Sequence, residues 1–455
     1  MDDRQRALTR AYELATGFLD GVDDRPVWPR ATYEEMLQAL GGELPGGGSD
    51  PVEVVAELAR LADPGLAGIA GGRFFGFVIG GELPAALGAD WLTSVCDQNA
   101  GLNSMAPSAA AAEVVAGRWI VDALGLPAGT AAGLVTGAMM ANYTCLSSAR
   151  RAVLARHDWD VGQRGLFDAP RVRVVVGRDR HDTIDRAVRF LGLGLDAVRE
   201  VDTDSEGRLD TGALASVLAV DSGPVIVCLQ AGEVHTGAFD PFAEAIEIAR
   251  GHDAWVHVDG AFGLWAAASP RLRHLTDGIA AADSWATDAH KTLNVPYDCG
   301  IALVRDPAAL VSEFGVHADY LIDGAGDPTE RVPELSRRAR GFPVWAALRS
   351  LGRDGLAALV DQLCARATQM ATGLAQIPGV EVVNEVVFTQ VMTSFGDDAR
   401  TAEIGRRLLA GGEAVFTPAT WRGHGVQRCS LSSWATTAAD VERTVEAVRR
   451  VAATL

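Results

Sequence analysis

No stretch of this 455-residue chain comes near the roughly 20 uninterrupted apolar residues that span a bilayer, which argues against a membrane bundle. Cysteine is sparse and scattered. The six residues Cys96, Cys145, Cys228, Cys299, Cys364 and Cys429 form no C-x-x-C pair and no short Cys/His cluster of zinc-ligand spacing, so they read as reduced, buried thiols. Basic residues are in deficit, 40 Lys and Arg against 59 Asp and Glu, and the resulting formal charge of −19 repels nucleic-acid phosphates and anionic lipid surfaces. The opening MDDRQRALTR lacks a basic segment followed by an apolar one, so a cytoplasmic protein is expected. Internal repeats and low-complexity tails are missing too, and the Ala/Gly richness is global.

What is present describes an ordinary folded body. Apolar residues make up 48% and charged residues 22%, and the length predicts two or three domains with a large core. Residues 1 to about 72 look helical at first and break at GGELPGGGSDP, a linker or surface loop. In AAAAEVVAGRWIVDALGLP a helical period carries Val115, Trp119 and Leu124 toward one face, and Pro127 and Gly129 close the segment.

Short apolar runs then recur between helix-length stretches: GLVT (133–136), RVRVVV (171–176), AVREV (197–201), PVIVCL (224–229), AWVHV (254–258), DSWAT (283–287) and GIALV (300–304). Continuous β-branched runs without alternation predict strands buried on both faces of a mostly parallel seven-stranded sheet, an α/β layer. Beyond about residue 330, SRRARGFPVWAALRSLGRDGLAALV predicts a helix, and VEVVN, QVMTSF, EAVF and QRCSLSS a small sheet with covering helices. The expected division is a helical segment over 1–72, a large domain over 73–330 and a smaller carboxyl-terminal α/β domain over 331–455.

Ligands of open α/β sheets collect at the carboxyl ends of the strands. Asp259 follows AWVHV and opens DGAFG, and Lys291 closes Asp288-Ala289-His290-Lys291 after DSWAT. A lysine past a buried strand can lose its proton and attack a carbonyl, and a nearby aspartate can hold charge on a heteroaromatic nitrogen. Pyridoxal phosphate chemistry uses both, the lysine as a Schiff base and the aspartate to keep the ring an electron sink. From position alone, a solvated Lys291 and a turn-capping Asp259 are the plainer readings.

The surrounding residues shift that balance. HVDGAFG, then DSWATDAHK about 25 residues on, then NVPYDCG, resemble the pyridoxal-phosphate-dependent amino acid decarboxylases related to aromatic amino acid and glutamate decarboxylases. RFFGFVIGGELPAALGADWLTSVCDQN, TGAMMANYTCLSSAR, RDRHDTIDRAVRFLGLG, AGEVHTGAFDP and RCSLSSWATTAADVE extend the likeness in order over most of the chain. The resemblance implies a type I, aspartate-aminotransferase-like fold, pyridoxal 5'-phosphate as cofactor, an amino acid substrate and a homodimer with active sites at the subunit boundary. It implies Lys291 as Schiff-base lysine, Asp259 as partner of the ring nitrogen and His181 stacked on the ring's outer face. Ala261 would pack beneath the ring. Gly137, Ala138 and Met139 would offer backbone N–H groups to the phosphate at a helix start, with His290 close by.

Decarboxylation to an amine through a quinonoid carbanion is the activity implied. The chain also departs from the family's pattern. Residues 321–340 hold no tyrosine where relatives commonly place one on a loop, and Tyr320 is the nearest phenol. Thr292 stands where an aromatic often follows the lysine, and Ala138-Met139 where Gly and Ser/Thr are usual. These departures keep oxidative deamination to an aldehyde, transamination and carbon–carbon lyase chemistry open, with a non-catalytic relative behind them.

Other signals receive no catalytic role. Gly192-Leu193-Gly194-Leu195-Asp196-Ala197 fits a dinucleotide fingerprint in form, but a helical stretch precedes it and a strand follows, the reverse of what that motif needs. His257 and Asp259 share a strand face without a third ligand, so a hydrogen bond supporting the site is expected of His257 and no catalytic metal. Arg337 and Arg338 suit an ion pair or the dimer interface; Glu233 and His235 stand near the expected cofactor-side turn. Phe74, Phe75 and Trp91 fit an aromatic-accepting pocket and core packing equally.

Overall fold

The computed structural model describes residues 2–315 and 326–455, and Tyr320 lies outside them. Three helices open the chain, α1 (Asp3–Asp20), α2 (Tyr33–Leu40) and α3 (Pro51–Ala62), and none of their residues is buried. Helices α4 (Pro84–Cys96) and α5 (Pro107–Ala123) follow. Five cysteines are buried as free thiols, but Cys96, at the end of α4, is exposed, which corrects the expectation for that residue. No helix among the described residues is long and apolar enough to cross a membrane.

Helix α5 turns a different face inward from the one its large residues suggested. Ala109, Ala110, Glu113, Ala116, Gly117, Ile120 and Val121 are buried, whereas Trp119 is exposed and stacks on Trp345 at 5.9 Å. Small residues mark the contact because the helix lies close on the sheet: a Cβ added to Gly117 would come within 2.7 Å of the Ala132 Cβ.

All seven apolar runs form strands: β1 (Ala131–Val135), β2 (Arg173–Gly177), β3 (Val198–Val201), β4 (Val225–Gln230), β5 (Trp255–Asp259), β6 (Ser284–Asp288) and β7 (Gly300–Val304). They pair in the order β1-β7-β6-β5-β4-β2-β3. Neighbours from β6 to β3 are parallel, while β7 is antiparallel to both β1 and β6. Helices α6 (Ala138–Ala155), α7 (Val161–Arg164), α8 (Asp182–Phe190), α9 (Thr211–Ala219), α10 (Phe242–Arg250) and α11 (Pro307–Phe314) connect or follow the strands. Apolar clusters pack against both faces, which is why six of the seven strands are buried at every position. The glycine pattern at 192–197 lies between α8 and β3, as its context indicated.

Helix α12 (Gly341–Ala375) is broken at Gly352 (φ 62°) and leads to a second sheet. Its strands β8 (Glu381–Val382), β9 (Gln390–Ser394), β10 (Thr417–Trp421) and β11 (His424–Ser430) run antiparallel in the order β10-β11-β9-β8, covered by α13 (Asp398–Gly411) and α14 (Ala438–Ala452). The strand expected at EAVF starts later, at Thr417. Ala414, Val415 and Phe416 are core residues, and Val415 makes one bridge to Phe74.

Arg337 ties the chain after residue 326 to the large sheet. It donates to both oxygens of Glu113 at 2.9 and 2.8 Å and to the carbonyls of Ala100 and Leu134, all buried. Arg338 pairs with Asp90 at 2.7 Å nearer the surface. Removing one member of a buried pair leaves the other charge uncompensated, so Arg337→Ala is expected to cost about 3–5 kcal/mol in urea unfolding. Arg337→Leu combined with Glu113→Leu should recover most of that loss.

Candidate active site

The parallel pairing of β5 with β6 sets Asp259 beside Ala286, so the ends of both strands emerge together. Asp288, the last residue of β6, organises the first half of the site. Its Oδ2 lies 2.9 Å from Lys291 Nζ, its Oδ1 lies 3.5 Å from His290 Nε2, and the same oxygen accepts the Ala138 N–H at 2.6 Å. His290 stacks on Tyr297 with ring centres 4.2 Å apart, and its Nδ1 accepts the Cys299 N–H at 3.2 Å, which turns a protonated Nε2 toward Asp288. Burial lowers the His290 pKa, and Asp288 partly offsets this. The backbone at Gly80 crosses directly over the lysine turn. Its N–H donates to the His290 carbonyl at 3.1 Å, and a Cβ there would sit 2.1 Å from the Lys291 carbonyl oxygen, so only glycine fits.

Asp259 forms the second half. Its Oδ2 accepts from Asn142 Nδ2 at 2.9 Å and from Thr183 Oγ1 at 3.5 Å, and its Oδ1 accepts the Ala261 N–H at 3.2 Å. Behind it runs a buried relay. Trp255 Nε1 donates to Ser284 Oγ at 2.9 Å, Ser284 Oγ lies 2.9 Å from His257 Nδ1, and His257 Nε2 lies 2.9 Å from Asn142 Oδ1. The Asn142 carbonyl can only accept, so the His257 Nε2 carries the proton and the whole chain of donors points at Asp259. Both ring nitrogens of His257 are thus taken by the protein, the supporting role its spacing suggested.

Burial pushes the His257 pKa down to about 4 from an ordinary 6.5. The folded protein therefore binds fewer protons than the unfolded chain between these values, and stability falls as pH drops from 6.5 toward 4. Integrated over that window the loss is about 3 kcal/mol. Unfolding of the parent and of His257→Asn at pH 7 and pH 4.5 should show the smaller pH difference in the variant.

The first turn of α6 joins the two halves. Gly137 caps the helix without a side-chain hydrogen bond, and its Cβ position faces His290 Cε1 and Asp288 Oδ1 at 3.4 and 3.6 Å. The Ala138 N–H meets Asp288, and Asn142, one turn on, meets Asp259, a rise of about 6 Å. The N–H groups of Met139 and Met140 have no acceptor within the helix, a partial positive charge facing this corner. The Met139 side chain itself packs into the adjoining apolar cluster.

His181 caps α8, its Nδ1 accepting the Thr183 N–H at 3.3 Å and lying 3.0 Å from Thr183 Oγ1, and its ring is exposed. Thr183 thereby links His181 to Asp259. Ala261 stands between the strands, its N–H on Asp259 and its carbonyl accepting from the Asp288 N–H at 2.8 Å. So the sequence-expected residues 137, 138, 181, 259, 261, 290 and 291 meet at one place. Asp288, Asn142, Thr183 and Ser284 were not foreseen. Asn142 had a usable signal, its spacing of four from Ala138.

Other candidates lie elsewhere. Glu233 and His235 bond to each other at 2.8 Å rather than to Asp259 or Lys291. Phe74 and Phe75 are buried in core clusters and Trp91 packs edge-on against Tyr12 at 6.3 Å, so packing accounts for all three. Thr292 is buried, donating to the Phe262 carbonyl at 2.8 Å.

The donor set fits a phosphorylated pyridine aldehyde. An amine and an open helix N-terminus stand at one end and a carboxylate at the other, all at the carboxyl edge of a mostly parallel sheet, and together with the second sheet this defines an enzyme of the type I pyridoxal phosphate fold. Comparison with known proteins narrows the class. The family described as "Pyridoxal-dependent decarboxylase conserved domain" matches residues 36–395, and the chain belongs to that family of carboxy-lyases, with pyridoxal phosphate as cofactor. The chain is 26% identical to the aromatic-L-amino-acid decarboxylase of Bacillus atrophaeus over 415 residues, covering 88% of this chain and 84% of that protein. It is 28% identical to tryptophan decarboxylase 1 of Oryza sativa subsp. japonica over 376 residues, covering 77% and 72%. In fold it is similar to Oryza sativa TDC solved with PLP and tryptamine, with a TM-score of 0.93, 24% identity, and coverage of 100% of this chain and 98% of that one.

Proposed function

We propose that the protein decarboxylates an L-amino acid to an amine, with Lys291 as the amine that anchors the cofactor. Pyridoxal phosphate, when bound, supplies an aldehyde that condenses with amines and a ring that accepts the electron pair left by the departing carboxylate. Asp259 would hold the proton on the ring nitrogen, and the Trp255–Ser284–His257–Asn142 relay keeps its carboxylate oriented and supplied with a hydrogen bond. His290 and the N–H groups after Gly137 would receive the phosphate, with Ala261 on one face of the ring and His181 on the other. Asp288 holds the Lys291 Nζ beside the helix start. Thr183 stands between His181 and Asp259, its N–H on the His181 ring and its single hydroxyl proton within reach of either.

One observation carries the reading: a single turn of α6 connects the lysine's carboxylate partner to Asp259. The exposed Leu8, Tyr12, Tyr33, Leu37, Val54 and Leu58 on α1, α2 and α3 support a homodimer in which these helices cover one another.

The test is a product assay on the cofactor-loaded protein offered each L-amino acid, aromatic ones first because the relatives carry those names. Carbon dioxide and amine in equal amounts support the reading. Hydrogen peroxide with an aldehyde, or a keto acid, would replace it with oxidative deamination or transamination. The lack of a tyrosine at 321–340 is the feature that favours the aldehyde outcome.

A further inference from the structure

The turn between β10 and β11 reaches from the small sheet across to the loops at the carboxyl edge of the large one. Arg422 donates from one guanidinium nitrogen to Asp179 Oδ2 at 2.8 Å, to Thr203 Oγ1 at 3.1 Å and to the Asp204 carbonyl. Asp179 also accepts from the Thr203 hydroxyl, and its carbonyl takes Gln230 Nε2 at 3.4 Å from the end of β4. Beside Arg422, the Trp421 ring packs on His235 with centres 5.3 Å apart, and His235 is held by the buried Glu233. Gly207 (φ 84°) admits the Trp421 ring, since a Cβ there would come within 3.1 Å of it. One hairpin tip thus touches the loops after β2, β3 and β4, and the first of these carries His181 two residues beyond Asp179.

The backbone points the same way. Arg422 lies in the left-handed region (φ 49°) next to Gly423 (φ 85°), a turn that glycine or asparagine occupies at least cost. A long side chain held there by three acceptors is a strained residue kept in place by its contacts. We infer that Arg422 is a positioning residue: through Asp179 it fixes the loop over 178–181 and thereby the placement of His181 over the cofactor ring. The inference rests on the reading of His181 given above and adds a part of the chain more than 200 residues away.

Arg422→Gly removes the guanidinium and relaxes the turn, so the fold and its unfolding midpoint are retained. In the cofactor-free protein, amide hydrogen exchange over 178–183 should rise about tenfold, a change confined to that loop. In the loaded protein, the visible circular dichroism of the bound cofactor should weaken, and kcat should fall about tenfold with KM within about twofold. Arg422→Lys should recover part of each, and Asp179→Asn should reproduce the loss from the opposite side. Unchanged exchange and unchanged dichroism in Arg422→Gly overturn the inference, as does a drop in unfolding midpoint with both signals unaffected. His181→Ala separates the two levels. If it leaves the dichroism unaltered, the reading of His181 fails; if it alters the dichroism while Arg422→Gly does not, only the role of Arg422 fails.

Discussion

Lys291→Ala is expected to remove the visible band of a lysine-bound cofactor and to lower turnover by about a thousandfold or more, the scale on which loss of a covalent catalyst acts. The substitution leaves the surroundings in place. Gly80 packs on the backbone of position 291, Asn294 is held by the Gly81 N–H at 2.7 Å, and neither contact uses the lysine side chain. Asp288 keeps the Ala138 N–H and His290 as partners, so the corner stays folded. A folded variant that cannot tether the aldehyde is the informative result. Spectra of parent and variant after dialysis, with turnover measured on the same samples, check it. A retained band, or turnover within about tenfold of the parent, would contradict the role given to Lys291.

Asp259→Asn should act nearly as strongly, lowering kcat on the order of a thousandfold, because an amide cannot hold a proton on the ring nitrogen by charge. Asparagine is the discriminating choice. It keeps the shape of the carboxylate and one of its two oxygens, which can still accept from Asn142 at the end of the relay from Trp255, while its NH2 replaces the oxygen that takes the Ala261 N–H. Cofactor affinity should fall as well, measurable by absorbance titration without any turnover. If kcat stays within about threefold of the parent, the carboxylate is a turn cap and no more.

The sheet was legible because its chemistry is monotonous. A strand covered on both faces is built mostly of apolar residues, and the seven runs lie within a residue or two of the observed bounds; the run with two charges, AVREV, forms the edge strand β3, which is only partly covered. The α5 face and the β10 strand were not legible for a common reason. Both are built from small or polar residues, Ala109, Ala116 and Gly117 in one, Thr417, Pro418 and Thr420 in the other, whose positions are set by close approach and by a hairpin turn rather than by hydrophobicity. Within the site, Lys291, Asp259 and His181 announced themselves by residue type at strand ends. Asp288, Thr183 and Ser284 did not, because their importance lies in which atoms they bring together across 150, 76 and 27 residues of chain, a relation that only the folded register creates.

The stretch from Phe74 to Gly81 is stitched at both ends. Near its start, Phe74 bridges Val415, the Phe75 carbonyl takes the Ser430 N–H and the Phe77 N–H donates to Thr417 at 2.6 Å; at its finish, Gly80 and Gly81 are bonded to His290 and Asn294. It is a short cord between the small sheet and the lysine turn. Rotation of one sheet relative to the other must either stretch that cord or drag position 291 along, so the angle between the two sheets and the height of the lysine above the sheet edge are one mechanical variable.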